Sequence, residues 1–198
     1  GDVYKRQLLA ARLTAWKGHR VLIEAAAQMR DRGVPDLAVV LAGDPQGRAA
    51  YERELDALIA ARGLGGIVRR VGHCTDMPAA FRAASVVAVP SVEPEAFGRS
   101  AVEAQALGAP VVVSDLGAVP ETVLAPPETP AGQRTGWRVP PGDAAALAAA
   151  LTEALSLGAS ARDALGRRSR AHVEAHFSLE RMVGDTLAVY AGLLGRSA

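Results

Sequence analysis

The sequence predicts an α/β fold in which a doubly wound, Rossmann-like parallel sheet carries helices on both faces. Short apolar runs alternate with helical segments along almost the whole chain, which is the pattern of βαβ units. The run Leu37–Ala42 is continuously apolar, as in a strand that is covered on both faces. A polar loop and a helix start follow the apolar run Val86–Val89, and ligands bind at such strand ends in an open parallel sheet.

Each element is predicted from its local pattern. Pro90 and Pro94 end the strand before them, Gly108 stands at a helix C-cap, and Asp143 is placed to N-cap an alanine-rich helix. Strands are predicted at residues 8–13, 37–42, 67–71, 86–89, 110–114 and 137–139. Helices are predicted at residues 18–32, 48–62, 77–84, 98–108, 143–157, 160–176 and 178–194, with a short segment at 120–124 and an exposed loop at 126–134.

Composition excludes several classes of protein. The chain has 198 residues, enough for one α/β domain with a sizeable core. Its formal net charge of +1 gives no case for nucleic acid as a partner, and no apolar run approaches the roughly 20 residues of a membrane span. The single cysteine, Cys74, excludes an internal disulfide and fits a reducing compartment. We therefore expect a cytoplasmic protein, with the inner face of the membrane as an alternative location.

Residues 1–7, GDVYKRQ, match neither a strand nor an N-cap, and residues 2–7 resemble the in-frame translation of a sequencing adapter. We expect this segment to be a tail outside the fold, in a chain whose true beginning is missing; an ordinary polar tail is the alternative. The remaining boundaries are predicted at 8–177 for the main domain and 178–198 for a C-terminal helix.

The stretch at residues 90–110, PSVEPEAFGRSAVEAQALGAP, carries two carboxylates, Glu95 in the loop and Glu103 in the helix. The free N–H groups near Phe97, Gly98 and Arg99 would present the positive end of the helix dipole to an anion. A carboxylate on the pocket side suits a vicinal diol, because its oxygens can accept from two hydroxyls. A nucleotide-sugar combines a diol, phosphate and a second hydroxylated ring.

Further polar groups follow the other predicted strands. Arg12 and Lys17 flank the loop after the first strand, and together they could neutralise a diphosphate without a metal. Lys17 is the only lysine outside the suspected adapter segment. After the second strand, Gly43 allows close backbone approach and Asp44 can cap the turn. Gly72 ends the third strand before a polar loop.

These motifs together resemble the retaining glycosyltransferases of family 4, which have the two-domain GT-B fold. The Glu-x7-Glu pair carries the resemblance, with Phe-Gly close to the first Glu. The segment DLGAVPE at residues 115–121 resembles the family's Gly-Gly-x-Pro-Glu segment, with Ala118 in place of the second Gly. The resemblance implies the C-terminal, donor-binding half of a metal- and cofactor-independent enzyme, in which Arg12 and Lys17 hold the diphosphate, Glu95 the transferred sugar and Glu103 the ribose.

It further implies that Phe97, Gly98 and Arg99 add backbone groups to the sugar or phosphate cradle, and that Gly43, Asp44 and Gly72 lie near the base and phosphates. The acceptor, a saccharide or lipid-linked glycan of cell-envelope polysaccharide biosynthesis, would bind through a missing N-terminal domain. This half alone is expected to be inactive.

Three alternatives remain open from the sequence. A non-catalytic nucleotide-sugar-binding module would need the same residues and no acceptor domain. A GT-B sugar-nucleotide epimerase should show catalytic carboxylates and histidines that we cannot match here. A phosphorylase of similar fold would require a lysine for pyridoxal phosphate, and Lys17 in a first-strand loop is not placed for it.

Overall fold

A single sheet of six parallel strands forms the centre of the computed structural model, which describes residues 5–195. The strands are β1 (Lys5–Ala10), β2 (Leu37–Ala42), β3 (Val68–Gly72), β4 (Val86–Val89), β5 (Val111–Ser114) and β6 (Trp137–Val139). Their spatial order is β3-β2-β1-β4-β5-β6, and every neighbouring pair is parallel. The predicted doubly wound, Rossmann-like sheet is confirmed.

The helices are α1 (His19–Asp31), α2 (Ala49–Ala61), α3 (Met77–Ala83), α4 (Arg99–Ala106), α5 (Val119–Thr122), α6 (Ala144–Leu155), α7 (Ala159–His176) and α8 (Leu179–Leu193). Polar side chains cap several of them. The predicted N-cap Asp143 accepts hydrogen bonds from the N–H groups of Ala145 and Ala146, both at 2.9 Å. Single 3-10 turns occur at Ala15–Lys17 and Ala131–Gln133.

Burial on both faces of the sheet explains the continuous apolar strands. All four residues of β4 are buried, and alternate residues enter different clusters. Val86 and Ala88 join an apolar cluster with Leu22 of α1 and Leu147 of α6. Val87 and Val89, on the opposite face, join a second cluster with Phe81 of α3 and Ala104 of α4, so each face of the sheet has its own helical cover.

The first strand begins earlier than predicted. Residues 8–13 were expected, but β1 covers Lys5–Ala10, and Lys5, Arg6 and Gln7 pair with the first three residues of β2. Residues 5–7 therefore belong to the sheet and not to a tail, because the backbone groups of β2 need partners whatever side chains face them. Residues 1–4 of the expected tail lie outside the described residues, as do residues 196–198 of the expected C-terminal helix.

The other predicted helices and strands are found with bounds that differ by at most two residues, as helix and strand ends commonly do. The segment predicted at 120–124 is the helical turn α5. The last helix, α8, leaves its apolar side chains exposed, from 44% for Val183 to 78% for Leu193. Among residues 5–195, no single helix is long and apolar enough to cross a membrane. One pair of helical segments, Ala144–Leu155 and Ala159–Leu193, would be long and apolar enough when taken together, but the pair is bent by 110°.

Candidate donor-binding site

Two adjoining clefts open at the carboxyl edge of the sheet, between β1 and β4, where the strand order reverses. Each has a volume of about 400 Å³. Both are lined by Ala10, Ala11, Arg12, Arg99 and Ser100. The first cleft adds Gly43, Asp44 and Glu103, and the second adds Lys17, Glu95, Phe97 and Gly98. Nine of the ten predicted site residues therefore line these two clefts.

Gly72 is the predicted site residue that lines neither cleft. Its carbonyl accepts a 2.8 Å hydrogen bond from the N–H of Gly43, which fixes the loop after β2 against the end of β3. Gly72 has φ of +70°, and this left-handed turn directs the chain into the cleft wall, where His73 and Cys74 follow. Gly72 thus ends β3 as predicted, and its contact with the cleft wall is a backbone hydrogen bond to Gly43.

Two glycines near the loop that carries Arg12 and Lys17 approach neighbouring backbone too closely to carry a side chain. A Cβ at Gly43 would collide with the carbonyl oxygen of Ala11, and one at Gly18 would collide with that of Pro90. Gly18 also has φ of +74° and is the N-cap of α1. This close approach brings Lys17, the residue before Gly18, beside the loop that follows β4.

Lys17 and Glu95 form the central contact of the second cleft. The Nζ of Lys17 lies 2.8 Å from Oε1 of Glu95, and their side chains are only 16% and 10% exposed. The same ammonium lies 4.1 Å from the ring centroid of Trp16, a cation–π geometry. The hydroxyl of Ser91 donates a second hydrogen bond to Oε1 of Glu95. Arg12, in contrast, is exposed and has no ion pair with any residue from 5 to 195.

The backbone of Glu95 is held by the segment that follows β5. Glu95 and Gly117 form a parallel bridge, and the N–H of Ala118 donates a 3.0 Å hydrogen bond to the carbonyl of Glu95. A Cβ at Gly117 would lie 2.6 Å from that carbonyl oxygen, so glycine is required there. Ala118 has φ of −81°, an ordinary value for alanine, and replaces a second glycine without strain.

The start of α4 lies at the place where the sequence predicts an anion cradle. Gly98 is its N-cap with φ of +81°, and Arg99 is its first residue. Within the described chain, the N–H groups of residues 97–100 have no hydrogen-bond acceptor, so they carry the positive end of the helix dipole into the second cleft. The ring of Phe97 is 41% exposed and packs edge-on against Phe177 at 5.6 Å.

Three polar residues of this region were not predicted from the sequence. Ser91 contacts Glu95, and the hydroxyl of Ser100 donates a 3.0 Å hydrogen bond to the carbonyl of Ala10. His19, the first residue of α1, is completely buried. Burial lowers the pKa of His19 to about 4, so its ring is neutral at neutral pH, and the carbonyls of Thr14 and Ala11 oppose the lowering in part. Small hydroxyls and a helix-start histidine carry no sequence signal of their own.

Basic side chains and carboxylates are mixed along the lining of the switch-point clefts, and solved structures of proteins that bind sugar nucleotides match the whole fold. A glycosyltransferase from Rickettsia africae is 29% identical with a TM-score of 0.89, over 100% of this chain and 49% of that one. Anabaena Alr3699/HepE, solved with UDP and with UDP-glucose, is 28% identical with a TM-score of 0.82, over 94% of this chain and 49% of that one. These matches define a GT-B glycosyltransferase domain.

The chain belongs to the glycosyl transferases group 1 family, whose model matches residues 4–172. Among curated relatives, the D-inositol 3-phosphate glycosyltransferase of Jonesia denitrificans is 35% identical over 96% of this chain. That of Salinispora tropica is 38% identical over 90% of it. The chain spans 43% and 36% of the lengths of these two relatives, respectively.

Proposed function

We propose that this chain is the donor-binding half of a retaining family 4 glycosyltransferase that takes its sugar from a nucleoside diphosphate sugar. One observation carries the proposal: the loop after β1 and the loop after β4 bring Arg12, Lys17, Glu95 and the start of α4 to one cleft, with Glu103 in the next. The complexes of HepE with UDP and UDP-glucose favour a uridine nucleotide as the donor.

In this proposal the positive groups hold the leaving diphosphate. Arg12 is exposed at both clefts and can grip phosphate with two parallel N–H donors. Lys17 and the unpaired N–H groups at the start of α4 add charge at the second cleft. Protein cations then neutralise the diphosphate, and the mechanism needs no metal.

The carboxylates have separate roles in the proposal. Glu103 lies in the first cleft with Asp44 and would accept from the two ribose hydroxyls, while Glu95 in the second cleft would accept from the transferred sugar. No enzyme nucleophile is required if the acceptor attacks from the face that the diphosphate leaves. The acceptor, a saccharide or lipid-linked glycan of cell-envelope polysaccharide biosynthesis, would be bound by a further domain, in the cytoplasm or at the inner face of the membrane.

Thermal protection by nucleotides tests the binding half of this proposal. A ligand at 100 times its Kd stabilises the folded state by about 2.7 kcal/mol. For a chain of this size, that corresponds to a rise in Tm of roughly 5–11 °C. We expect UDP to give the larger shift, GDP a smaller one and uridine almost none. Absence of a shift with both diphosphates, up to millimolar concentration, would refute the proposal.

Activity and association test the remaining part. We expect this chain alone to transfer no sugar from UDP-glucose to any acceptor, and to self-associate through the exposed apolar side chains of α8. Replacing Leu187 and Leu193 by serine should then give a monomer in sedimentation experiments with nucleotide binding unchanged. Sugar transfer by this chain alone would show that one domain suffices. Sugar transfer by a longer form of the protein but not by this chain would support the proposal. The acceptors tried should include a phosphorylated inositol. A longer form that binds UDP-sugars without transferring them would favour the non-catalytic module.

A further inference from the structure

We propose that Ser91 is a positioning residue that fixes the carboxylate of Glu95 for the donor sugar; this inference rests on the proposed function. Ser91 directly follows Pro90 at the end of β4 and is only 4% exposed. Its hydroxyl donates to Oε1 of Glu95, the oxygen that also accepts from Lys17 at 2.8 Å. Ser91 lines neither cleft, so its effect on a ligand must pass through Glu95.

Both hydrogen bonds to the Glu95 side chain converge on one oxygen. Within residues 5–195, Oε2 of Glu95 accepts no hydrogen bond, although Glu95 lines the second cleft. A carboxylate can accept about four hydrogen bonds in total. Fixing Oε1 on the protein side therefore leaves Oε2 for hydroxyl groups of a ligand, in an orientation that is set before the ligand arrives.

Of the two donors to Oε1, Ser91 is the one that a bound diphosphate would leave in place. The ammonium of Lys17 has three N–H donors, faces the cleft that Arg12 also lines, and would turn in part toward phosphate. Ser91 is neutral, buried and has a single O–H donor, so phosphate does not compete for it. When the nucleotide draws on Lys17, the hydrogen bond from Ser91 still restrains Glu95.

The backbone on both sides of this contact is already fixed. The N–H of Val92 donates a 2.8 Å hydrogen bond to the carbonyl of Trp16, and the N–H of Ala118 donates one of 3.0 Å to the carbonyl of Glu95. The remaining freedom of Glu95 lies in its side-chain torsions, which cost entropy when a ligand orders them. Ser91 and Lys17 restrain those torsions in the free protein, which is preorganisation of the sugar subsite.

The test compares the Kd values of UDP and of UDP-sugars in calorimetry. The reference ligand is whichever of UDP-glucose, UDP-galactose and UDP-N-acetylglucosamine the wild-type protein binds most tightly. We expect Ser91→Ala to leave the Kd of UDP within about twofold and to weaken the UDP-sugar by about 5- to 20-fold. This is less than the full worth of a hydrogen bond to a charged group, because Ser91 acts on the ligand only through Glu95. Ser91→Thr, which keeps the hydroxyl, should restore most of the difference.

A matched control separates positioning from general destabilisation. Ser169 is also buried and lines neither cleft, and its hydroxyl lies within hydrogen-bond distance of the carbonyls of Thr135 (2.8 Å) and Leu165 (2.9 Å). Ser169→Ala should lower Tm without changing the ratio of the two Kd values. The inference would be overturned if Ser91→Ala weakened the binding of UDP and of the UDP-sugar equally, or weakened neither. It would also be overturned if the wild-type protein bound every UDP-sugar no more tightly than UDP. Wild-type protein that binds no nucleotide would instead refute the proposed function, and this inference with it.

Discussion

Replacing Gln7 by leucine is expected to stabilise the protein, because the structure buries this amide without a partner. Gln7 is in β1 and is 0% exposed. In the described part of the chain, neither its Nε2 nor its Oε1 has a hydrogen-bond partner. Its neighbours across the sheet are Val39 of β2 and Val86 of β4, which belong to one apolar cluster, and Val68 of β3 continues the same row.

The size of the effect follows from this environment. Burying an unpaired amide costs about 1–3 kcal/mol on the evidence of mutations in proteins. Leucine removes that cost and keeps a side chain of similar reach in a row of valines. For a protein of this length, the gain corresponds to a rise in Tm of roughly 2–12 °C. Gln7→Val should also stabilise the protein, and its smaller side chain serves as a second test if leucine is too large for the site.

Thermal and urea unfolding of the purified variants measure the change. Gln105 provides the control: it is equally buried and its Oε1 also has no partner in the described chain, but its Nε2 donates to the carbonyl of Thr122 at 2.9 Å. Gln105→Leu should lose about 1–3 kcal/mol, because it leaves a buried carbonyl without its donor. If neither Gln7→Leu nor Gln7→Val raises the free energy of unfolding, the amide of Gln7 is satisfied in solution and the reasoning is wrong.

Three further predictions concern the site. Glu103→Gln should weaken UDP binding by about 1–3 kcal/mol in calorimetry, because a neutral amide accepts less strongly than a carboxylate; unchanged affinity would remove Glu103 from the site. Lys17→Ala should weaken UDP far more than uridine, because its charge meets phosphate, whereas equal losses would indicate a folding defect. The pKa of His19 is about 4 in the folded state and 6.5 in the unfolded state, so the unfolded chain takes up the proton first as the pH falls. The contribution of neutral His19 to stability is therefore complete above pH 6.5 and is lost toward pH 4. Against His19→Phe, which does not titrate, wild-type stability from urea unfolding should fall by about 1.4 kcal/mol per pH unit over this window; parallel profiles would contradict this explanation.

The sequence alone determined the order of the elements and most of the residues that line the candidate site. Helical and strand periodicities depend on neighbours a few residues apart, so they can be read locally, and α6 begins at the predicted cap Asp143. The same periodicities place Arg12 at the end of a strand. They also place Glu95 and Glu103 in a loop and the helix that follows it, within the stretch at 90–110. These residues line the predicted edge of the sheet.

Contacts between distant segments were decided only by the tertiary structure. Lys17 and Glu95 are 78 positions apart in the chain, and they meet because β1 and β4 are neighbours in the sheet and Gly18 packs against Pro90. No local pattern reports that adjacency, which is why Ser91 was not predicted. Strand pairing likewise places Gln7 in the core, although residues 1–7 match no strand pattern and were predicted to be a tail. The backbone hydrogen bonds of a central strand form along its whole length regardless of the side chain.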